Sequence, residues 1–101
     1  MKFKVLFPDI AVRRKFEKKL LKISKRMREK IMTGVEDLGK NPLPEGKKFR
    51  FLAPPVEVFE YTARYRLRIG DYRVLYDVDC KKKIVWVFVL RQRGKTTYKK
   101  T

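Results

Sequence analysis

The stretch RYRLRIGDYRVLY, residues 64–76, decides the predicted fold. From Phe59 to Ile69, apolar and polar side chains alternate strictly, which is the period of a β-strand with one buried face. Gly70-Asp71 follows, and a glycine-first pair suits the tight turns that join two antiparallel strands. The sequence therefore predicts a hairpin whose second strand runs from Tyr72 to Val78.

The two-residue turn determines which side chains face each other across the hairpin. The predicted pairs are Ile69 with Tyr72, Arg68 with Arg73, Arg66 with Leu75, and Arg64 with Asp77. Arg64 thus gains a carboxylate partner, whereas Arg68 faces a second cation. Directly opposed like charges in a sheet cost about 0.2 to 1 kcal/mol. A folded sheet tolerates that cost, so these two arginines are either solvated and splayed apart or part of an anion-binding surface.

Two amphipathic helices are predicted before the hairpin. Pro8-Asp9 ends a first predicted strand, residues 2–7, and Asp9 can cap the first helix while Ser24 can cap the second. The apolar side chains recur at helical spacing: Val12, Phe16, Leu20 and Ile23, then Met27, Ile31, Val35 and Leu38. These stripes predict a helical hairpin that packs its apolar side on the sheet.

The remaining segments complete the predicted sheet. Residues 41–48 read as a loop by their prolines and glycine, and FRFLAPPVE, residues 49–57, holds a short strand. The apolar run at 83–90 predicts a central strand after a four-residue turn at 79–82. We expect an α+β fold in a single domain, residues 1–101. An N-terminal strand and a two-helix hairpin would pack on one face of a small, mainly antiparallel sheet that ends in a three-stranded meander.

Continuing the register into the last strand sets Phe88 opposite Arg73 and Trp86 opposite Leu75, while Val85, Val87 and Val89 join the helix-covered face. The other face would be a cationic concavity with an aromatic floor, which suits single-stranded nucleic acid because guanidinium groups bind phosphates and bases stack on rings. The candidate RNA-binding side chains are Arg66, Arg68, Arg73, Trp86 and Phe88, with Arg91, Arg93, Lys95, Tyr98 and Lys99 at the rim. The two aromatic residues could instead form a second small core.

Composition indicates the class of partner. Lys and Arg total 28 against 11 Asp and Glu, so the net charge is 28 − 11 = +17, which attracts polyanions. The chain has no histidine, the commonest general base and zinc ligand, and we expect neither a metal nor a cofactor. Cys80 is the single cysteine, and no apolar run approaches the ~18 residues of a membrane helix. We therefore expect a cytoplasmic protein with no membrane partner.

Three segments resemble the RelE family of the RelE/ParE toxin superfamily. They are YRLRIGDYRVLYDV (65–78), IVWVFVL (84–90) and RGKTTYK (93–99). The resemblance implies a toxin of a type II toxin–antitoxin pair that enters the ribosomal A site and cuts mRNA without a metal. The 2′-hydroxyl of the RNA would attack the neighbouring phosphate and leave a cyclic phosphate. The resemblance also implies an acidic antitoxin that wraps the toxin, so the expected partners are this antitoxin, mRNA and the ribosome.

The resemblance assigns roles to particular side chains. The family's cation pair before the hairpin turn corresponds to Arg66 and Arg68, and its arginine after the turn to Arg73. Its C-terminal arginine and tyrosine correspond to Arg93 and Tyr98, although Lys95 or Arg91 could replace Arg93. The resemblance therefore implies four catalytic residues: Arg68, Arg73, Arg93 and Tyr98.

Arg68 is a departure from the family pattern. In the best-described member lysines occupy the strand positions, and one is a proposed general base, whereas an arginine holds its proton too tightly to act as a base at neutral pH. Two alternatives to the nuclease stay open. One is a ParE-like toxin that inhibits DNA gyrase, and the other is a noncatalytic RNA-binding protein or degenerate toxin.

Overall fold

The computed structural model describes residues 2–44, 46 and 49–92. The elements are β1 (Lys4–Leu6), α1 (Ile10–Leu21), α2 (Lys25–Asp37), β2 (Phe49–Val58), β3 (Tyr61–Ile69), β4 (Tyr72–Asp79) and β5 (Ile84–Gln92). The strands form a five-stranded sheet in the order β1-β5-β4-β3-β2. β1 is parallel to β5, and the other neighbouring strands are antiparallel. The predicted α+β fold is confirmed.

Both helices begin at the predicted caps. The side chain of Asp9 accepts a hydrogen bond from the backbone N–H of Val12 at 2.9 Å, and Ser24 accepts one from Met27 at 3.3 Å. Such bonds satisfy N–H groups that have no partner within the helix. Neither helix in the described part of the chain is long and apolar enough to cross a membrane.

The main core lies between the helices and one face of the sheet. Its buried side chains are Phe16, Ile23, Ile31, Val35, Leu38, Leu67, Ile69, Val74, Tyr76, Val78, Val85, Val87 and Leu90. Tyr76 is fully buried, and its hydroxyl donates a hydrogen bond to the carbonyl of Pro42 at 2.8 Å. Burial raises the pKa of this phenol above its ordinary value. The predicted helical stripes are thus confirmed as core-facing.

The predicted β3–β4 hairpin is confirmed in its turn and in three of its four pairs. Gly70 has a φ of 59°, as the first residue of the predicted turn requires. Ile69 pairs with Tyr72, Arg68 with Arg73, and Arg66 with Leu75. The fourth pair appears as a side-chain contact, because Arg64 Nε lies 2.7 Å from the Asp77 carboxylate.

The turn between β4 and β5 lies one residue later than predicted. It occupies residues 80–83 rather than 79–82, since Asp79 pairs with Ile84. As a consequence, Trp86 pairs with Asp77 and not with Leu75. A two-residue slip of partners leaves the face unchanged because side chains alternate with a period of two. Trp86 therefore remains on the predicted face of the sheet, away from the helices.

A β-bulge makes the rest of the β4–β5 register differ from the prediction. The β4–β5 ladder shifts between Leu75 and Tyr76, and Phe88 is the extra residue of β5. Arg73 pairs with Arg91 rather than Phe88, and Leu75 pairs with Val89. Val89 therefore packs on the face away from the helices, which makes its predicted position wrong.

The bounds of β2 and β3 also differ from the prediction. β2 continues through Pro54 and Pro55 to Val58, so it is longer than the predicted short strand. β3 begins at Tyr61, because Phe59 lies in a turn with a φ of 59°. Ala63 is fully buried and packs with Val58 in a second apolar cluster, beside the point where the ladder between β2 and β3 is interrupted.

Candidate nucleic-acid interface

Five arginines lie on the sheet face that the helices do not cover, called here the open face. Leu67, Ile69 and Val74 pack in the main core, so strand alternation directs their arginine neighbours to the opposite side. Arg68 pairs with Arg73, which pairs in turn with Arg91, and Arg50 pairs with Arg66 in the adjacent row. These five residues, Arg50, Arg66, Arg68, Arg73 and Arg91, are called the arginine surface.

The arginine surface is dense and has few counter-charges. Neighbouring strands lie about 4.8 Å apart, so the backbones of Arg68, Arg73 and Arg91 fall within about 10 Å. Arg50 and Arg91 are exposed, and the other three are half-buried. Among the described residues, no carboxylate forms an ion pair with Arg50, Arg68, Arg73 or Arg91. Such a row favours an external anion.

Arg64 on the same sheet shows the opposite arrangement. Its Nε donates to Asp77 Oδ1 at 2.7 Å, and its Nη2 donates to the Val78 carbonyl at 3.3 Å. The hydrogen bond to Asp77 raises the pKa of Arg64. This arginine is therefore engaged within the protein and is not placed in the arginine surface.

Phe88 does not lie in an open concavity. It is only 4% exposed and belongs to a second apolar cluster with Val58, Ala63 and Leu75, called here the strand cluster. Its ring stacks on Tyr61 with centroids 5.3 Å apart and planes inclined by 9°. The prediction that Phe88 floors the RNA-binding surface is wrong, and the alternative of a second small core is confirmed for this residue.

Trp86 keeps an accessible position. It is half-buried beside the strand cluster and lines a concavity of about 370 Å³ with Arg64, Asp77 and Cys80. A partly exposed indole can stack on a base. Trp86 therefore remains a candidate RNA-binding residue at the far end of the open face.

A hydrogen bond between Asp9 and Tyr61 ties the strand cluster to α1. The Tyr61 hydroxyl donates to Asp9 Oδ2 at 2.5 Å. This bond raises the pKa of Tyr61 to about 12, and it is the main reason why the pKa of Asp9 is lowered. One carboxylate thus caps the helix and fixes the aromatic ring that stacks on Phe88.

Four predicted site residues lie outside the described residues: Arg93, Lys95, Tyr98 and Lys99. β5 ends at Gln92, one residue after Arg91. Because Arg91 pairs with Arg73, the chain leaves the described part of the protein beside the arginine surface.

Arg50 is a member of the arginine surface that sequence reasoning missed. It lies between Phe49 and Phe51 in β2 and pairs with Arg66. The alternation Phe-Arg-Phe was the available signal, since it places the cation on the face opposite two aromatic rings. The strand had been predicted, but without a partner strand and register its arginine could not be assigned to a face.

This arrangement can bind phosphate but offers no evident base. Guanidinium groups donate paired hydrogen bonds to phosphate oxygens and stay protonated at neutral pH. Within residues 2–44, 46 and 49–92, no three Cys, Asp or Glu side chains converge as metal ligands. The described residues therefore favour stabilisation of phosphate charge over proton abstraction.

Comparison with known proteins assigns the family. The sequence model of a family described as "ParE toxin of type II toxin-antitoxin system, parDE" matches residues 10–95. The chain belongs to this family, within the RelE/ParE superfamily. It is therefore a type II toxin–antitoxin toxin. No functionally curated protein matches this toxin.

Solved structures similar to this toxin include three RelE proteins. RelE in the RelE–RelB complex of Pyrococcus horikoshii is 27% identical with a TM-score of 0.68, and the alignment covers 94% of this chain and 99% of that one. The toxin–antitoxin complex RelBE2 of Mycobacterium tuberculosis gives 21% identity, a TM-score of 0.63 and coverage of 92% and 100%. Free Escherichia coli RelE with two arginine-to-alanine substitutions is 18% identical with a TM-score of 0.56, and the alignment covers 96% of this chain and 88% of that one. The last two similarities concern the fold alone.

Proposed function

We propose that this toxin is a metal-independent, ribosome-dependent endoribonuclease that cuts mRNA in the ribosomal A site. The arginine surface is the observation that carries the proposal, because Arg68, Arg73 and Arg91 form a cross-strand row with no carboxylate partner in the described residues. The RNA phosphate would supply the missing negative charge. This substrate implies action in the cytoplasm.

The reaction suits a site rich in arginine. The 2′-oxygen of one nucleotide loses its proton and bonds to the adjacent phosphorus, the bond from phosphorus to the 5′-oxygen of the next nucleotide breaks, and that oxygen takes up a proton. The products are a 2′,3′-cyclic phosphate and a free 5′-hydroxyl. Arg73 and Arg93 would hold the negative charge that develops on the phosphate. Positioning the hydroxyl in line with the leaving oxygen supplies much of the remaining acceleration.

Other side chains would bind the RNA or assist proton transfer. Arg68 would hold phosphate charge and would not act as the base, since it keeps its proton. Tyr98 would orient the attacked nucleotide or assist proton transfer, and Lys95 or water could accept the proton. The proposed backbone-binding residues are Arg50, Arg66, Arg91, Lys95 and Lys99, and Trp86 would stack on a base.

An acidic antitoxin is the proposed protein partner. The similar Pyrococcus horikoshii and Mycobacterium tuberculosis toxins were solved as complexes with their antitoxins. A net charge of +17 favours an acidic partner for this toxin too.

The deciding experiment maps mRNA ends in growing cells after the toxin is induced. We expect growth arrest with new ends inside codons, and Arg73→Ala should lower cleavage about 100- to 1000-fold, as when one positioned oxyanion donor is removed. Arg64→Ala is the matched control, because it removes an arginine that is paired with Asp77. Intact mRNA, or equal losses in both variants with circular dichroism unchanged, would contradict the proposal.

Inhibition of DNA gyrase is the second candidate function, favoured by the match to a family described as ParE. It predicts that purified toxin blocks DNA supercoiling while mRNA stays intact. The third candidate, a noncatalytic RNA-binding protein, follows from the arginine at position 68. It predicts salt-sensitive RNA binding with no cut product.

A further inference from the structure

The turn between α1 and α2 carries a second concentration of positive charge. Residues 18–28 contain six cations and no acid. They are Lys18, Lys19, Lys22, Lys25, Arg26 and Arg28, called here the helix-turn cluster, and all are exposed except Arg28, which is half-buried. The ion pair found within the helical hairpin, between Arg13 and Glu17, lies outside this segment. The cluster therefore presents its charge to solvent.

Helix stability does not account for these positions. Lys25 and Arg26 occupy the first turn of α2, which holds no acid. The amino-terminal end of a helix carries a partial positive charge, so cations there are unfavourable and acids are preferred. Lys18 and Lys19 lie in the last turn of α1, where cations are favourable. The charge in the first turn of α2 is therefore slightly unfavourable for the helix, and helix stability does not explain it.

The helix-turn cluster lies at the same end of the molecule as the arginine surface. A Cβ on Gly70, in the β3–β4 turn, would lie only 2.9 Å from Met27 Cε of α2. Arg26 of α2 and Arg68 of β3 both line one groove of about 980 Å³. Glu29 and Asp37 line the same groove. The helices and the arginine surface occupy opposite faces of the sheet, so the two concentrations of positive charge lie on opposite faces at one end of it.

The chemistry of the cluster favours a nucleic-acid backbone over a protein. Four of its six members are lysines, a residue type depleted in protein–protein interfaces. Leu21, which is 71% exposed, is the one largely exposed apolar side chain between residues 18 and 28. An acidic protein helix would need a broader apolar contact, whereas a phosphate backbone needs only mobile cations. Double-helical RNA is recognised largely through phosphates and 2′-hydroxyls.

We propose that the helix-turn cluster is a second RNA-binding surface, which holds the backbone of folded, double-helical RNA while the arginine surface holds a single strand. The proposal extends the function proposed above, because it takes RNA as the polyanion. It does not require cleavage. The toxin would thus contact two RNA segments at one end, one from each face of its sheet.

Binding to a fluorescent RNA hairpin with a double-helical stem tests this proposal, with anisotropy measured over a range of salt concentrations. The test variant is Lys18→Gln, Lys22→Gln and Lys25→Gln combined. The matched control combines Lys2→Gln, Lys4→Gln and Lys82→Gln, which removes the same charge from exposed positions in or beside β1 and in the β4–β5 turn. Each lost phosphate contact lowers the slope of log affinity against log salt by about 0.7 to 0.9. The test variant should lose a slope of about 2 to 3 and at least tenfold in affinity, and the control should lose less than threefold.

Equal losses in the two variants would overturn the proposal, since net charge alone would then explain binding. So would a test variant that keeps its RNA affinity, or one that loses binding only to a labelled Glu-rich helical peptide. Arg73→Ala should retain duplex binding, because that arginine belongs to the other surface. If mRNA stays uncut while duplex binding depends on the helix-turn cluster, the nuclease proposal fails and this inference stands.

Discussion

The strand cluster and the arginine surface lie on neighbouring strands of one sheet but are built in opposite ways. In the strand cluster, Leu75 and Phe88 are 2% and 4% exposed, and Tyr61, packed against them, satisfies its hydroxyl with Asp9. In the arginine surface, Arg68 and Arg73 face each other across the hairpin. Packing therefore stabilises the fold in one region, while like charges weaken it in the other.

This difference separates residues that maintain the fold from residues available for binding. A sheet that only had to fold could pair its arginines with carboxylates, as it does for Arg64 and Asp77. Leaving Arg68 beside Arg73 is reasonable where an external anion completes the charge balance. Mutations in the two regions should consequently affect different measurements, namely stability in one and RNA cleavage in the other.

The largest expected effect on stability comes from Phe88→Ala. Removing a buried phenyl ring leaves a cavity, so the free energy of unfolding should fall by about 3 to 5 kcal/mol. Urea unfolding followed by circular dichroism measures this loss. Phe51→Ala is the matched control, because Phe51 is 57% exposed and should cost about 1 kcal/mol or less. Equal losses in the two variants would mean that the strand cluster is not a true core.

The Asp9–Tyr61 bond should make the strand cluster sensitive to alkaline pH. The pKa of Tyr61 is raised from 10.0 to about 12, so the folded protein favours the protonated phenol. Its contribution to stability is complete below about pH 10 and disappears as the pH rises through about 12. The difference in urea midpoint between wild type and Tyr61→Phe should shrink over this interval.

Tyr72→Phe is the control for this alkaline effect, since the Tyr72 hydroxyl makes no hydrogen bond within the described residues. A wild-type advantage over Tyr61→Phe that persists at pH 12 would contradict the assignment. Asp9 has the opposite sign, because its pKa is lowered below 3.8. The stability that it contributes is present above that value and is lost at more acidic pH.

The contrast between the two regions was only partly predictable from sequence. Strict alternation and a glycine-first turn fixed the register of Arg66, Arg68 and Arg73, because both signals are local. The bulge at Phe88 lies in an apolar run. Because the side chains on both faces of this strand are apolar, an extra residue does not interrupt any alternation of polar and apolar residues. The burial of Phe88 therefore depended on tertiary packing that the sequence pattern does not encode.

The same limit applies to Arg50. Its alternation with two phenylalanines was visible, but its neighbours depend on a strand pairing between residues far apart in sequence. The resemblance to the RelE family gave the positions of Arg66, Arg68 and Arg73, but the three segments that carry it do not include β2. Long-range pairing, rather than local propensity, thus determined which part of the candidate site was missed.

The Arg64–Asp77 pair tests whether a paired arginine stabilises the sheet, and its expected effect is smaller than that of Phe88→Ala. A double-mutant cycle with Arg64→Gln and Asp77→Asn should give a coupling of about 0.5 to 1 kcal/mol, typical of a partly exposed ion pair with good geometry. The coupling should decrease as salt is added. The more exposed pair Arg13–Glu17 should give only about 0.3 to 0.5 kcal/mol. If the coupling energy is zero, Asp77 does not stabilise Arg64, and Arg64 does not differ in energy from the arginines of the arginine surface.

The smallest expected effect on stability is that of Arg73→Gln, and it tests most directly whether the arginine surface differs from the strand cluster. Arg73→Gln removes a cation that faces Arg68 and Arg91, so the free energy of unfolding should stay constant or rise by about 0.2 to 1 kcal/mol. The gain should be largest at low salt, where repulsion between exposed charges is least screened. Arg64→Gln, which breaks an attractive pair, should change stability in the opposite direction. If Arg73→Gln instead destabilises the protein as strongly as a core mutation, Arg73 is a structural residue, and loss of cleavage on its replacement would no longer point to a role in binding phosphate.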